Sequence, residues 1–325
     1  MSDGHGTALV FPGQGSQRAG MAKDFYEEFS IARAAFAEAS DACGADLGAI
    51  SFGDDERLNL TEFTQPCILT AEIAMLAVLR QEFGLEAQWF AGHSLGEYTA
   101  LVAAGVLGLG EVARLVRRRG ALMQQAVPAG QGAMLAVIGR GLDLGELRAA
   151  LEGLEVDAAN HNSSSQIVVS GSAADVDKAK ERLGGRGRRL IPLNVSAPFH
   201  SRFMREVEPA FAAALAAVEL DAANAPLVAS NYTGAFHSAD ADAVRDALVK
   251  QISGTVRWVD NMRAIAERAP RILEVGPGKP LSGFFKDVGV TVPAITDLSG
   301  ARQTLGQKDA RPERVATRGS DGHGR

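Results

Sequence analysis

The sequence is poor in cysteine, has no excess of positive charge and contains no long apolar run. Its 325 residues include two cysteines, Cys43 and Cys67, too few for a disulfide framework and typical of buried thiols in a reducing compartment. The formal net charge of −6 argues against a nucleic-acid-binding surface. Because the chain shows neither about 18 consecutive apolar residues nor an apolar signal core near its start, we expect no membrane span and a cytoplasmic location.

Short apolar segments typical of buried strands alternate with helical patterns along most of the chain. Ala8–Phe11 and Ile272–Val275 are examples, and residues 227–231 and 290–295 are predicted to be further strands. This alternation predicts an α/β fold in which helices cover a mostly parallel sheet. Residues 44–60 are polar and irregular, which predicts a surface loop.

Residues 129–196 follow a different order of strand, helix, two strands, helix and strand. This is the βαββαβ pattern of a ferredoxin-like subdomain with an antiparallel sheet. We therefore expect a small subdomain at 129–196, inserted into a discontinuous large domain of residues 1–128 and 197–298. Residues 299–325 have few large apolar side chains and are predicted to be a disordered tail.

The segment Trp89–Ala100 predicts a strand, a tight turn and a helix, with a serine at the turn. Gly92-His93-Ser94-Leu95-Gly96 fits the pattern Gly-x-Ser-x-Gly, whose glycines stand where a turn is too crowded for Cβ atoms. Such a turn exposes the serine hydroxyl at the strand ends and aims the amides of the next helix at it. Ser94 is therefore the candidate nucleophile.

The loop Pro12–Gln17 follows the first strand and is rich in glycine. It lacks the Lys-Ser/Thr of a P-loop and the glycine spacing of a dinucleotide-binding loop. Two interpretations stay open, a plain turn and a loop whose backbone at Gln14 approaches a ligand.

His200 is the candidate general base because it follows Pro198 in the loop where the chain returns to the large domain. A histidine in a loop at a domain junction is a better candidate base than one on a helix face. The other histidines lie in the tails, a polar loop, the small sheet and the serine turn: His5, His323, His237, His161 and His93.

Three consecutive arginines, Arg117–Arg119, cannot all lie on one side of a helix. Arg117 and Arg118 are expected to be solvated, whereas the position of Arg119 allows partial burial. A buried arginine needs an anion, so Arg119 is a candidate anion-binding residue, with an exposed cation as the alternative.

The serine turn, the histidine after the inserted subdomain and the arginine in the following helix together resemble the malonyl-CoA:acyl carrier protein transacylase family. The resemblance runs from about residue 8 to 297. Its motifs are Phe11-Pro12-Gly13-Gln14-Gly15-Ser16-Gln17, Gly92-His93-Ser94-Leu95-Gly96-Glu97, Arg119-Gly120, Asn160-His161-Asn162, Ala197-Pro198-Phe199-His200-Ser201 and Glu274-Val275-Gly276-Pro277-Gly278. Phe63-Thr64-Gln65-Pro66 and Phe199-His200 are most similar to freestanding acyltransferases that serve polyketide synthases.

This resemblance implies an α/β-hydrolase-like core and a serine acyl-enzyme that carries a malonyl group from malonyl-CoA to an acyl carrier protein. Ser94 would attack the thioester and His200 would accept and return the proton. The backbone amides of Gln14 and Leu95 would form the oxyanion hole, and Arg119 would bind the malonyl carboxylate.

Further substrate contacts are implied at four positions. Phe199 would lie beside the α-carbon of the acyl group and favour malonyl over methylmalonyl. His93, Asn162 and Gln251 would line the site, and the neighbourhood of Gln251 would orient His200. The resemblance implies no metal and no cofactor, since the coenzyme A thioester is a substrate. It implies no nucleic-acid or membrane partner.

Three other functions are compatible with parts of this pattern. An acyl-carrier-protein hydrolase of the same fold would use the same serine and histidine but would not need Arg119. An α/β-hydrolase esterase would need an Asp or Glu between the nucleophile and a late histidine. A non-enzymatic scaffold for carrier proteins would require Ser94 to be unreactive.

Overall fold

The computed structural model of the chain describes residues 6–128, 130–185, 187–195 and 197–306. The strands within these residues are β1 (Thr7–Phe11), β2 (Trp89–Gly92), β3 (Gly132–Ile138), β4 (Val156–Ser163), β5 (Gln166–Ser172), β6 (Arg189–Pro192), β7 (Arg271–Val275) and β8 (Ala294–Ile295). They form two sheets, a parallel one in the order β2-β1-β7-β8 and an antiparallel one in the order β4-β5-β3-β6.

Helices pack against both sheets. In chain order they are α1 (Lys23–Glu28), α2 (Ser30–Cys43), α3 (Leu47–Phe52), α4 (Thr61–Phe83), α5 (Leu95–Ala103), α6 (Leu109–Gln125), α7 (Leu144–Ala150), α8 (Ala173–Leu183), α9 (Glu208–Ala216), α10 (Ala241–Lys250), α11 (Trp258–Arg268), α12 (Pro280–Phe285) and α13 (Leu298–Leu305). The predicted α/β fold class is thus confirmed.

The parallel sheet has β1 at its centre, paired with β2 on one side and β7 on the other. Every residue of β1 is buried, because both faces of a parallel sheet are covered by helices. The carboxyl ends of β1, β2 and β7 therefore meet at one edge, and the loop carrying Gln14 and the turn carrying Ser94 leave the sheet there.

Helix α4 packs against α2, α5 and α6. Among the described residues, α4 is the one helix long and apolar enough to cross a membrane, but most of its apolar stretch is buried inside the protein. Its length and composition therefore match those of a core helix.

The antiparallel sheet has the βαββαβ order predicted from the sequence. Alternate residues of β3 point to opposite faces. Leu135 and Val137 pack in a small core with helices α7 and α8, whereas Met134 and Ala136 join the core of the large domain. One face of this sheet therefore forms a wall against the carboxyl edge of the parallel sheet.

Several local predictions are corrected by the structure. Residues 47–52 of the expected loop form helix α3, because Leu47 and Ile50 are buried against the core. The segment 227–231 makes single bridges, including Phe90 with Val228, rather than a strand. Of the predicted strand 290–295 only β8 pairs, since Pro293 offers no N–H to a ladder.

The predicted tail also begins too early. Leu298–Leu305 forms α13, whose first turn is capped by Asp297 and whose Ala301 is buried. The remaining residues of that prediction, from 307 to 325, lie outside the described residues. The predicted bounds of the large domain and the small subdomain remain a prediction.

Candidate active site

Ser94 occupies a strained turn between β2 and α5. Its backbone has φ 52° and ψ −99°, a combination that non-glycine residues rarely adopt. A Cβ atom at Gly92 would lie 1.9 Å from the carbonyl carbon of Gly96, so the crowded turn requires glycine. The side chain of Asn231 fixes the turn, because its Oδ1 accepts from the Ser94 amide at 2.6 Å and its Nδ2 donates to the Gly92 carbonyl at 2.8 Å.

His200 lies within hydrogen-bonding distance of the serine hydroxyl. Its Nε2 is 2.8 Å from Ser94 Oγ, and its Nδ1 is 2.8 Å from the backbone oxygen of Gln251. Because a carbonyl oxygen only accepts, Nδ1 carries the proton and Nε2 offers its lone pair to the hydroxyl. Burial, and after it the charge of Arg119, lowers the pKa of His200 to about 3, so this imidazole is neutral at physiological pH.

Arg119 is a buried cation beside the nucleophile. Its side chain, 1% exposed, donates from Nη1 to Gln65 Oε1 at 3.0 Å and from Nη2 to Gln251 Oε1 at 2.9 Å and Ser94 Oγ at 3.2 Å. The buried Nε has no hydrogen-bond partner, and no carboxylate of the described residues forms an ion pair with this guanidinium. Burial lowers the pKa of Arg119, so an anion entering here would be strongly favoured.

The two neighbouring arginines differ from each other. Arg118 is exposed, as expected. Arg117 was expected to be solvated, but it is half-buried, pairs with Glu62 at 2.7 Å and lies 4.9 Å above the ring centroid of Phe63. This pair ties helix α6 to the start of α4 and leaves Arg119 on the face that points at Ser94.

Gln14 and Leu95, whose backbone amides are the candidate oxyanion hole, line the same pocket as Ser94. Within the described part of the chain, neither amide donates to a protein acceptor outside regular helix or strand pairing. Gly13 brings the first loop close, because a Cβ there would lie 2.3 Å from the His93 carbonyl oxygen. This close approach favours the second interpretation of the loop, in which its backbone faces a ligand.

His93 and Asn162 are brought together across the two sheets. His93 Nε2 and Asn162 Oδ1 are 2.8 Å apart, and Asn162 Nδ2 donates to Gln166 Oε1 at 2.7 Å. Burial lowers the pKa of His93. The pair thus links the serine turn to the small sheet rather than reaching the hydroxyl of Ser94.

A cavity of about 120 Å³ opens above Ser94. Phe199, Met123, Met134 and Leu193 supply its apolar wall, and His200 and Arg119 its polar end. The ring of Phe199 is 7% exposed. A groove of about 330 Å³, which shares Gln14 and His93 with the cavity, runs between the small sheet and helix α12. A small acyl group fits the cavity, and an extended chain fits the groove.

Four residues of the site were not found from the sequence. Gln65 contacts Arg119, and Asn231 holds the turn. Glu97, fully buried, accepts from Gln251 Nε2 at 2.6 Å and lies 2.8 Å from His237 Nε2. Glu97 could have been found from its position one turn after Ser94. His237 lies in a segment that the sequence predicts to be a polar loop, but the structure buries it to 6% exposure.

The two cysteines lie away from this chemistry. Burial raises the pKa of Cys43 to about 11 and that of Cys67 to about 12, so neither thiol ionises at neutral pH. Across residues 6–306, apart from the three undescribed positions, no cluster of three or more His, Cys, Asp or Glu side chains is arranged to hold a metal ion. Ser94 thus stays the candidate nucleophile.

Comparison with known proteins yields one consistent family. The acyl transferase domain family matches residues 8–278. The malonyl CoA-acyl carrier protein transacylase of Escherichia coli is 41% identical over 294 residues, covering 88% of this chain and 94% of that protein.

Solved structures agree with this match. The crystal structure of malonyl-CoA:acyl carrier protein transacylase from Xanthomonas oryzae superposes with a TM-score of 0.87 at 42% identity, covering 94% of this chain and 98% of that one. A type II polyketide synthase acyl-carrier protein in complex with its malonyl-transacylase gives a TM-score of 0.87 at 38% identity, covering 92% and 99%.

Proposed function

The chain belongs to the acyl transferase domain family, and from that premise we propose that it transfers a malonyl group from malonyl-CoA to the thiol of an acyl carrier protein. It is an acyltransferase that works through an ester on Ser94. The carrier protein serves fatty acid or polyketide assembly, in line with the relatives of both kinds.

The observation that carries this proposal is the buried Arg119, which has no carboxylate partner among the described residues. Its Nη2 lies 3.2 Å from Ser94 Oγ, so an acyl group on the serine that itself ends in a carboxylate can reach the guanidinium. A planar guanidinium group binds such a carboxylate through two parallel, charge-assisted hydrogen bonds. A hydrolase of the same fold would have no use for this cation, and we do not propose one.

The first half of the reaction follows from the hydrogen bonds of His200. Nε2 takes the proton of Ser94 Oγ as that oxygen bonds to the thioester carbonyl carbon. The carbonyl oxygen gains negative charge, which the backbone amides of Gln14 and Leu95 stabilise. The carbon–sulfur bond then breaks, and His200 returns its proton to the sulfur of coenzyme A.

The second half runs the same steps in reverse. The carrier's thiol enters along the groove beside His93, His200 removes its proton, and the sulfur attacks the ester carbonyl. The carbon–oxygen bond to Ser94 breaks and the hydroxyl regains its proton. Because a thioester is exchanged for a thioester, the protein needs neither a metal nor a redox cofactor.

The two unpaired, buried cysteines are in line with a cytoplasmic location for this reaction.

Mass spectrometry of the protein mixed with malonyl-CoA tests the proposal. We expect one malonyl group per chain, located on the peptide that contains Ser94, and release of that group when acyl carrier protein is added. Ser94→Ala is the control. Malonylation that persists in this variant, or a wild type that stays unmodified, would contradict the proposal.

A further inference from the structure

A buried carboxylate lies behind the site without touching any reacting group. Glu97 belongs to the first turn of α5 and is 0% exposed. Its Oε1 lies 2.8 Å from His237 Nε2, and its Oε2 accepts from the Asn231 amide at 2.9 Å and from Gln251 Nε2 at 2.6 Å. Both oxygens are therefore held by donors, and one of these donors, Gln251, also contacts Arg119.

Gln251 connects this carboxylate to the two groups that carry the chemistry. Its backbone oxygen accepts from His200 Nδ1 at 2.8 Å, and its side-chain Oε1 accepts from Arg119 Nη2 at 2.9 Å. Its Nε2 also donates to the Ser94 carbonyl at 3.0 Å. A change at this one residue consequently reaches the base and the anion-binding cation together.

The amide of Gln251 has one orientation that satisfies both of its neighbours. With Nε2 toward Glu97 and Oε1 toward Arg119, each contact joins a donor to an acceptor. The flipped amide would set its oxygen against the carboxylate and its NH₂ against the guanidinium, so both contacts would be repulsive. On the Glu97 side, the flipped state is excluded because a negatively charged carboxylate only accepts hydrogen bonds.

We propose that Glu97 is a positioning residue that locks the Gln251 amide and thereby orients both His200 and Arg119. His237 holds Glu97 from the far side. The part of this inference that concerns Arg119 rests on the proposed malonyl transfer. The part that concerns the Ser94–His200 pair does not depend on which acyl group is transferred.

Glu97→Gln tests this role, since it keeps the shape of the side chain and removes the charge. An amide oxygen at 97 can still accept from Gln251 Nε2, but without the negative charge this hydrogen bond is about half as strong, so the Gln251 amide is held less firmly. We expect kcat/KM for malonyl-CoA to fall about a hundredfold, as for other small misplacements of reacting groups, with a rise in KM. Acetyl-CoA lacks the carboxylate, so its kcat should fall through His200 while its KM stays unchanged.

Glu72→Gln is the matched control. Glu72 is also fully buried and bonds to the same helix, since Thr99 donates to its Oε2 at 2.6 Å, but it contacts none of Gln251, His200 and Arg119. Burial raises the pKa of Glu72 well above its usual range, so an amide resembles its neutral form. Wild-type kinetics are expected for this variant.

A second assay separates the positioning role from the proposed function. An alkyl phosphonofluoridate reacts when Ser94 Oγ bonds to phosphorus, fluoride leaves, and the proton passes to His200. Its rate reports on the Ser94–His200 pair without malonyl-CoA, and its end point counts active sites. We expect slower phosphonylation in Glu97→Gln, and unchanged phosphonylation in Glu72→Gln.

The outcomes are distinct. Wild-type rates per active site in Glu97→Gln, for phosphonylation and for both acyl groups, would overturn the positioning role. A wild type that does not transfer malonyl, together with slowed phosphonylation in Glu97→Gln, would refute the proposed function and leave the positioning role standing. If Glu97→Gln does not fold, His237→Asn is the second variant, because it removes the donor to Glu97 Oε1. We expect it too to lower kcat/KM for malonyl-CoA and to slow phosphonylation. The absence of both effects would refute the role.

Discussion

Replacement of Arg119 by alanine should separate malonyl transfer from acetyl transfer. In the proposed acyl-enzyme the malonyl carboxylate is buried against the guanidinium of Arg119, a residue that is 1% exposed. Removing one partner of a buried, hydrogen-bonded charge pair costs about 2–5 kcal/mol. That range corresponds to a loss of roughly 30-fold to several thousandfold in kcat/KM for malonyl-CoA.

Acetyl-CoA should respond in a different way to the same change. Its acyl group ends in a methyl, so no ion pair is lost. The positive charge of Arg119 also lowers the pKa of His200, and its removal makes the imidazole a stronger base. Acetyl transfer should therefore fall much less than malonyl transfer, or rise.

The assay measures coenzyme A release with each thioester, in the presence of acyl carrier protein, and normalises each rate to the number of phosphonylated active sites. Arg118→Ala is the matched control, because that neighbour on the same helix is exposed and should leave both rates unchanged. Equal losses for the two acyl groups in Arg119→Ala would show that the guanidinium is structural and would refute the anion-binding role.

Three further predictions follow from the same geometry. Phe199→Ser should shift competition between malonyl-CoA and methylmalonyl-CoA toward the latter by about 10- to 200-fold; an unchanged product ratio would place selectivity elsewhere. Because the pKa of His200 is lowered to about 3, the wild-type acylation rate should persist well below pH 6. In Arg119→Ala the fall of this rate at acid pH should begin at a higher pH, and identical pH–rate profiles for the two proteins would contradict this. Gly13→Ala would place a Cβ 2.3 Å from the His93 carbonyl oxygen and so displace the Gln14 amide from the oxyanion hole, which should lower kcat by about 10²–10³. A wild-type kcat would argue against that role of the loop.

The sequence was sufficient to identify the elements whose signals are local. The glycines around Ser94 mark a turn that no other residue fits, and the run Ala8–Phe11 marks a strand buried on both faces. The βαββαβ order within residues 129–196 follows from short-range patterns as well. Such patterns depend on steric limits and on burial, which act on residues close together in the chain.

Local patterns were misleading where packing by distant residues decides the structure. Residues 47–52 are helical because Leu47 and Ile50 pack on the core, although their neighbours are polar. Residues 298–305 are helical because Ala301 is buried and Asp297 caps the first turn. Both helices are short, six and eight residues, so a sequence pattern alone gives little signal for them.

The candidate site divides in the same way. Ser94, His200 and Arg119 could be named from motifs and from their places in the chain, since each residue type suits its chemistry. Most of their partners could not, because a buried polar group takes whichever donor or acceptor the fold brings near. Only the tertiary structure sets the Gln65 side chain against Arg119, 54 residues away, and the Glu97 carboxylate beside His237, 140 residues away.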